Sequence, residues 1–136
     1  MLPMPAVNWI AIVVAAVVQM IVGFLWYSPM LFGNTWMKLS GIKMPTKKPD
    51  MTMPMIWMFV GAIVTAFVLS GFVGYAGAKG LVEGALIGLM AAIGFQVTSH
   101  ASSVIFEGKP FQLYLLNVGH MVVGMALAGA VIGFWA

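Results

Sequence analysis

Four long apolar runs dominate the chain, over about residues 6–27, 55–77, 82–106 and 111–135. A helix needs roughly 20 apolar residues to cross ~30 Å of hydrocarbon, and each run is long enough. No Lys, Asp or Glu interrupts the interior of any run; Glu83 lies in the first turn of the third. The polar punctuation between the runs carries its own signals. Pro29 follows Trp26, Tyr27 and Ser28 and ends the first run, because the residue before a proline is pushed out of the α region. Pro54 and Pro110 stand at helix starts, where a missing N–H costs nothing. Lys79 with Gly80, and Glu107 through Pro110, make turns short enough to force antiparallel neighbours. The pattern predicts an all-α integral membrane four-helix bundle, a single four-span domain over residues 1–136.

The one long connection, residues 28–54, divides in two. Phe32, Trp36 and Leu39 fall at i, i+4 and i+7 beside Lys38, which predicts a short amphipathic helix lying in the interface. Gly41 stops it. The remainder holds Lys43, Lys47, Lys48, Pro45, Pro49 and Asp50 and is expected to be an exposed loop. The first run lacks a basic leader and a small-residue cleavage site. It is therefore expected to remain as a span and not to be removed as a signal peptide.

Composition agrees and narrows the chemistry. The chain is 62% hydrophobic and 7% charged, where a soluble domain carries about a quarter charged residues. Without Cys there is no disulfide, thiolate metal site or Cys nucleophile. Without Arg there is no bidentate fork for phosphates or carboxylates. The Lys excess reads as a topology signal and not as a nucleic-acid patch. Lys38, Lys43, Lys47, Lys48 and Lys109 belong to the first and third loops, and Lys79 alone to the other side. That asymmetry puts the first and third loops in the cytoplasm and both termini outside. Tryptophan agrees, since it prefers the interfaces: Trp9 and Trp135 fall at the outer ends, Trp26, Trp36 and Trp57 at the inner side.

One stretch is denser in signal than the rest. It comprises Asn8 and Trp9, then Trp26, Tyr27, Ser28, Pro29, Met30, Leu31, Phe32, Gly33, Asn34, Thr35, Trp36 and Met37. It resembles a family of small bacterial membrane proteins known as domain of unknown function 1761. That family opens on Asn-Trp, an apolar run, then Trp-Tyr-Ser-Pro-x-x-Phe-Gly-x-x-Trp-Met. The resemblance implies a bacterial four-span protein of the inner membrane and transfers no catalytic residue. On the residues alone, Trp26, Tyr27, Ser28, Pro29, Phe32, Gly33 and Trp36 read as an aromatic belt with a helix break, with a binding face as the alternative.

Gly80, Gly84, Gly88 and Ala92 repeat every four residues in the third run, and Gly124, Gly129 and Gly133 mark the fourth. Small residues at this spacing let helix backbones approach closely, within one chain or between copies. Gln96, His100, Ser103 and Glu107 would share one face of a regular helix; Asn117 and His120 share another, and Gln19 belongs to a third. By ~1.5 Å of rise per residue, His100, His120 and Gln19 come to similar depths, roughly 10–15 Å inside the cytoplasmic edge. Polar side chains at membrane depth turn inward and pair. Gln19, Gln96, His100, Ser103, Asn117 and His120 are therefore expected to form one buried polar layer.

No cofactor is expected, although two candidates exist. His100 and His120 on facing helices suit axial ligation of a haem iron, with Gly119 and Gly124 leaving room for the ring. Met51, Met53 and Met55, close after Met44, offer thioethers for Cu(I), against the plainer use of Met as apolar filler. Ser99, Ser102, Ser103 and Thr98 lie near His100, but no mid-span carboxylate orients an imidazole, so an enzyme is not expected. A proton-coupled exporter would need an intramembrane carboxylate, and Glu83 and Glu107 both sit at helix ends. The leading expectation is a homo-oligomeric structural or accessory membrane protein. The alternatives are a small transporter or channel component built on the polar layer, or a haem or copper binding protein.

Overall fold

The computed structural model describes residues 5–41 and 50–136. The expected loop positions Lys43, Met44, Pro45, Lys47, Lys48 and Pro49 lie outside the described residues. The described chain is an all-α bundle with four helices long and apolar enough to span a membrane.

Helix α1 (Trp9–Trp26) begins where Asn8 caps it, its Oδ1 accepting from the Ala11 N–H at 3.2 Å. A short helix α2 (Gly33–Ser40) follows the Pro29 break and ends at Gly41 with φ +72°. Helix α3 (Thr52–Ala76) starts beside Asp50, whose Oδ1 accepts from the Thr52 N–H at 3.0 Å. That N–H holds the Asp50 carboxyl below its usual range. Pro54 falls in the first turn, where no intrahelical partner is lost. α3 closes on Gly77 in the left-handed region, with the Ala78 N–H donating back to Val73 O at 3.1 Å.

The third span, Gly80–Ile105, is not one regular helix. It runs as α4 (Gly80–Ala91), a π-helical stretch Ala92–Val97, and two short pieces, α5 (Thr98–His100) and α6 (Ser102–Ile105). Glu83 at its start accepts from the Lys79 N–H at 2.7 Å, a capping role favoured by the helix dipole. Hydroxyls explain the irregular end. Thr98 donates to Gly94 O at 2.7 Å and Ser99 to Phe95 O at 2.6 Å, while Ser102 and Ser103 donate to Ser99 O and His100 O. Such back-bonds compete with the main-chain ladder and bend helices. Helix α7 (Phe111–Phe134) completes the bundle.

The packing is uneven. α7 packs most extensively against α4 and next against α1, and α1 also covers α3. The core is built from small residues, with Ala15, Ala16, Ala66, Ala92 and Ala128 wholly buried beside Ile12, Leu69 and Val73. In lipid the hydrophobic effect does not drive helices together, so close backbone approach must hold them. The α4–α7 seam is the extreme case. A Cβ on Gly84 would run into the Gly129 carbonyl and the Gly133 Cα, one on Gly88 into the Met125 carbonyl, and one on Gly133 into the Gly80 carbonyl. The partner of the glycine ladder is therefore α7 of the same chain. Gly124 departs from the expectation: a Cβ there meets nothing within 4 Å, because it faces a cleft and not a helix. α3 is the least buried span. A tight turn joins it to α4, yet the two helices touch only lightly.

Candidate functional site

The aromatic motif is a clamp at the end of α1. Trp26 Nε1 donates to Leu116 O on α7 at 2.9 Å, and the Tyr27 hydroxyl donates to Asn117 Oδ1 at 2.7 Å. Gly119 leaves the space that the Trp26 ring occupies: a Cβ there would come within 3.0 Å of it. Pro29 turns the chain, the Phe32 N–H bonds Trp26 O at 3.0 Å and the Gly33 N–H bonds Ser28 O at 2.9 Å. Gly33 is required because a Cβ would strike the Tyr27 and Ser28 backbone. Phe32 packs on Trp26 with centroids 4.8 Å apart, and Trp36 meets Tyr27 edge-on at 5.8 Å. The motif residues fix α2 against the bundle. Trp9, at the opposite end of α1, stacks on Phe67 of α3 at 5.7 Å.

Two separate clefts replace the single polar layer. The first, of about 160 Å³, is lined from four helical segments and includes Gln19, Thr65, Gln96 and His120. Gln19 Nε2 reaches Ala62 O at 3.4 Å and Ala15 O at 3.5 Å, at the long limit of hydrogen bonding. Gln96 Oε1 is buried and has no hydrogen-bond partner. The His120 ring lies against Tyr27, centroids 5.2 Å apart, with Nε2 facing Gly23 of α1. An apolar recess between α3 and the third span shares Thr65, Gln96 and Met125 with this cleft and is walled by Phe72 and Phe95.

The second cleft, of about 300 Å³, holds His100, Ser99, Ser103, Glu107, Lys109 and Asn117. Its polar groups are largely satisfied locally. His100 Nδ1 donates to Gln96 O at 2.9 Å, the Ser99 and Ser103 hydroxyls donate to their own helix, and Tyr114 donates to Val97 O at 2.7 Å. Glu107 and Lys109 pair at 3.2 Å across exposed side chains, an arrangement of little energetic weight.

Three expectations therefore change. His100 is exposed and belongs with Ser103 and Asn117, apart from Gln19, Gln96 and His120. The His100 Nδ1 bond to the Gln96 carbonyl one turn earlier holds the imidazole on its own helix. The haem pair does not converge on one cleft, and the room beside Gly119 is filled by Trp26. Met51 caps α3 and Met53 and Met55 lie in its first turn, where residues two apart point to opposite sides, so Met53 stands apart from the other two. The methionines that do share a cleft are Met20, Met58, Met121 and Met125. Thr65 and these methionines were missed as site residues because each reads singly as helix filler; only the packing of three helices brings them together. The hydroxyl-rich run Thr98, Ser99, Ser102, Ser103 was the available signal for the broken helix.

Four apolar helices, a glycine-zipped seam and polar clefts opening between helices define a multi-pass α-helical membrane protein. The chain belongs to the family described as protein of unknown function (DUF1761), whose model matches residues 10–133. The match contains the whole Trp26–Trp36 clamp. No curated protein and no solved structure matches the chain.

Proposed function

We propose that the chain is a non-enzymatic transporter or channel component of the bacterial inner membrane, which admits a small solute into the cleft around Gln96 and His120. One observation carries this reading: Gln96 Oε1 is buried at the cleft without a partner. An unsatisfied acceptor at membrane depth costs about 1–3 kcal/mol, and lipid cannot satisfy it. A ligand or water in the cleft can, and about 160 Å³ has room for several waters. The absence of Cys makes the test direct. Thr65→Cys in the native membrane should react with a small water-soluble thiol reagent, and Ala66→Cys, wholly buried, should not. Equal unreactivity at the two positions would sink the reading.

The lysine distribution supports an orientation with both termini outside and the first and third loops cytoplasmic. A reagent that cannot cross the membrane should label Lys47→Cys only after the cells are opened. Self-assembly remains the second reading, now through α3. Gly61 and Gly71 on that helix meet open space, whereas the α4 and α7 ladder is taken up within the chain. Native mass spectrometry from mild detergent should show an oligomer; a monomer alone would remove this reading and leave the first standing.

A further inference from the structure

The first cleft has a composition unlike the rest of the chain. Four of its ten lining residues are methionines, Met20, Met58, Met121 and Met125, where the whole chain has 13 in 136. They come from three helices, one on α1, one on α3 and two on α7. His120, next to Met121 on α7, makes no hydrogen bond among the described residues. The cleft lining contains no Asp, Glu, Lys or Arg.

From these facts we infer that the cleft binds a soft monovalent metal cation, Cu(I), through methionine thioethers and the His120 imidazole. Thioether and imidazole donors match soft metals, whereas a hard cation would find only the Gln19 and Gln96 amide oxygens and the Thr65 hydroxyl, with no carboxylate. The neutral lining adds a charge argument. A divalent ion brought into a low-dielectric bundle without a carboxylate keeps both charges uncompensated, and burying such charge is prohibitive. One positive charge on polarisable ligands is the cheapest cation for this site. Methionine as adaptable filler explains the scattered residues elsewhere. It does not explain why four of them line one cleft together with an imidazole that has no hydrogen bond. This inference rests on the proposed accessibility of the cleft.

The test uses the full-length protein in lipid nanodiscs under ascorbate, titrated with Cu(I) against a chromophoric Cu(I) chelator. One Cu(I) per chain is expected, with sulfur neighbours in its X-ray absorption spectrum. Met125→Leu and Met121→Leu, which nearly preserve side-chain volume, should each weaken binding at least about tenfold, the scale of a disturbed metal site. His120→Phe should do the same, and Met53→Leu with Met55→Leu should leave affinity unchanged. Unfolding midpoints of the metal-free variants within a few degrees of the parent show that they fold. Absence of Cu(I) binding, survival of binding in the Met121→Leu, Met125→Leu pair, or its loss in the Met53, Met55 variant overturns the site. Thiol labelling of Thr65→Cys in the same nanodiscs separates the two claims. Reactivity without copper rejects the metal and keeps the accessible cleft; no reactivity rejects the cleft itself.

Discussion

The two halves of the third span behave differently against the same neighbours. From Gly80 to Ala91 the helix is regular and lies against α7 so closely that two of its positions, Gly84 and Gly88, exclude a Cβ. From Ala92 onward it widens into a π turn, breaks into short pieces and borders two clefts. The first half has Gly at four-residue spacing and no hydroxyl; the second has Gln96 and a run of Thr and Ser. The contrast teaches that backbone approach and backbone polarity are alternatives here. Where glycine permits contact, the seam closes. Where side chains bond the helix's own carbonyls, the ladder loosens and cavities remain.

The largest expected effect lies on the closed half. Gly84→Leu should destabilise the fold by about 3 kcal/mol or more, because its side chain must displace the Gly129 backbone. Gly94→Leu, where a Cβ meets nothing within 4 Å, should change stability far less. Thermal unfolding in detergent compares them, and equal losses would break the contrast between the halves. Next comes the clamp that holds α1 to α7. Trp26→Phe removes the bond to Leu116 O and should cost about 1–2 kcal/mol by the same measurement.

The open half predicts an opposite sign. Gln96→Leu replaces a buried unpartnered acceptor and should leave the empty protein as stable or more so, by up to about 1 kcal/mol. A clear loss of stability would mean that Gln96 is already satisfied. The smallest effect is expected at Gly124→Ala. Its methyl enters open space, and Ala favours a helix over Gly by about 0.5–1 kcal/mol. A destabilisation there would show that α7 packs at that point as tightly as it does against α4.

Much of the fold was legible because a bilayer leaves few choices. Apolar length located the four long helices, Gly41 marked the end of α2, and Gly at four-residue spacing marked the seam. The site was legible only in part. Gln96 and His120 line one cleft with Gln19, while His100, Ser103 and Asn117 line another. A helical-wheel argument assumes 100° per residue throughout, and the π turn invalidates it just where the polar residues begin. Asn117 shares a cleft with His100, but its Oδ1 accepts from the Tyr27 hydroxyl; that bond joins residues 90 positions apart, beyond any local pattern.

The π stretch has a genetic consequence. A π turn holds one more residue than the α turn it replaces, so it behaves as an insertion absorbed without lengthening the loop. Deleting Gly94 should let the third span close as continuous α-helix. The turn would lose only its surplus residue, so everything beyond, from Phe95 to Ile105, should keep its facing. Gln96 would stay at the first cleft and the glycine seam in place. In this chain the lining of that cleft should survive a change in residue count that would scramble a regular helix.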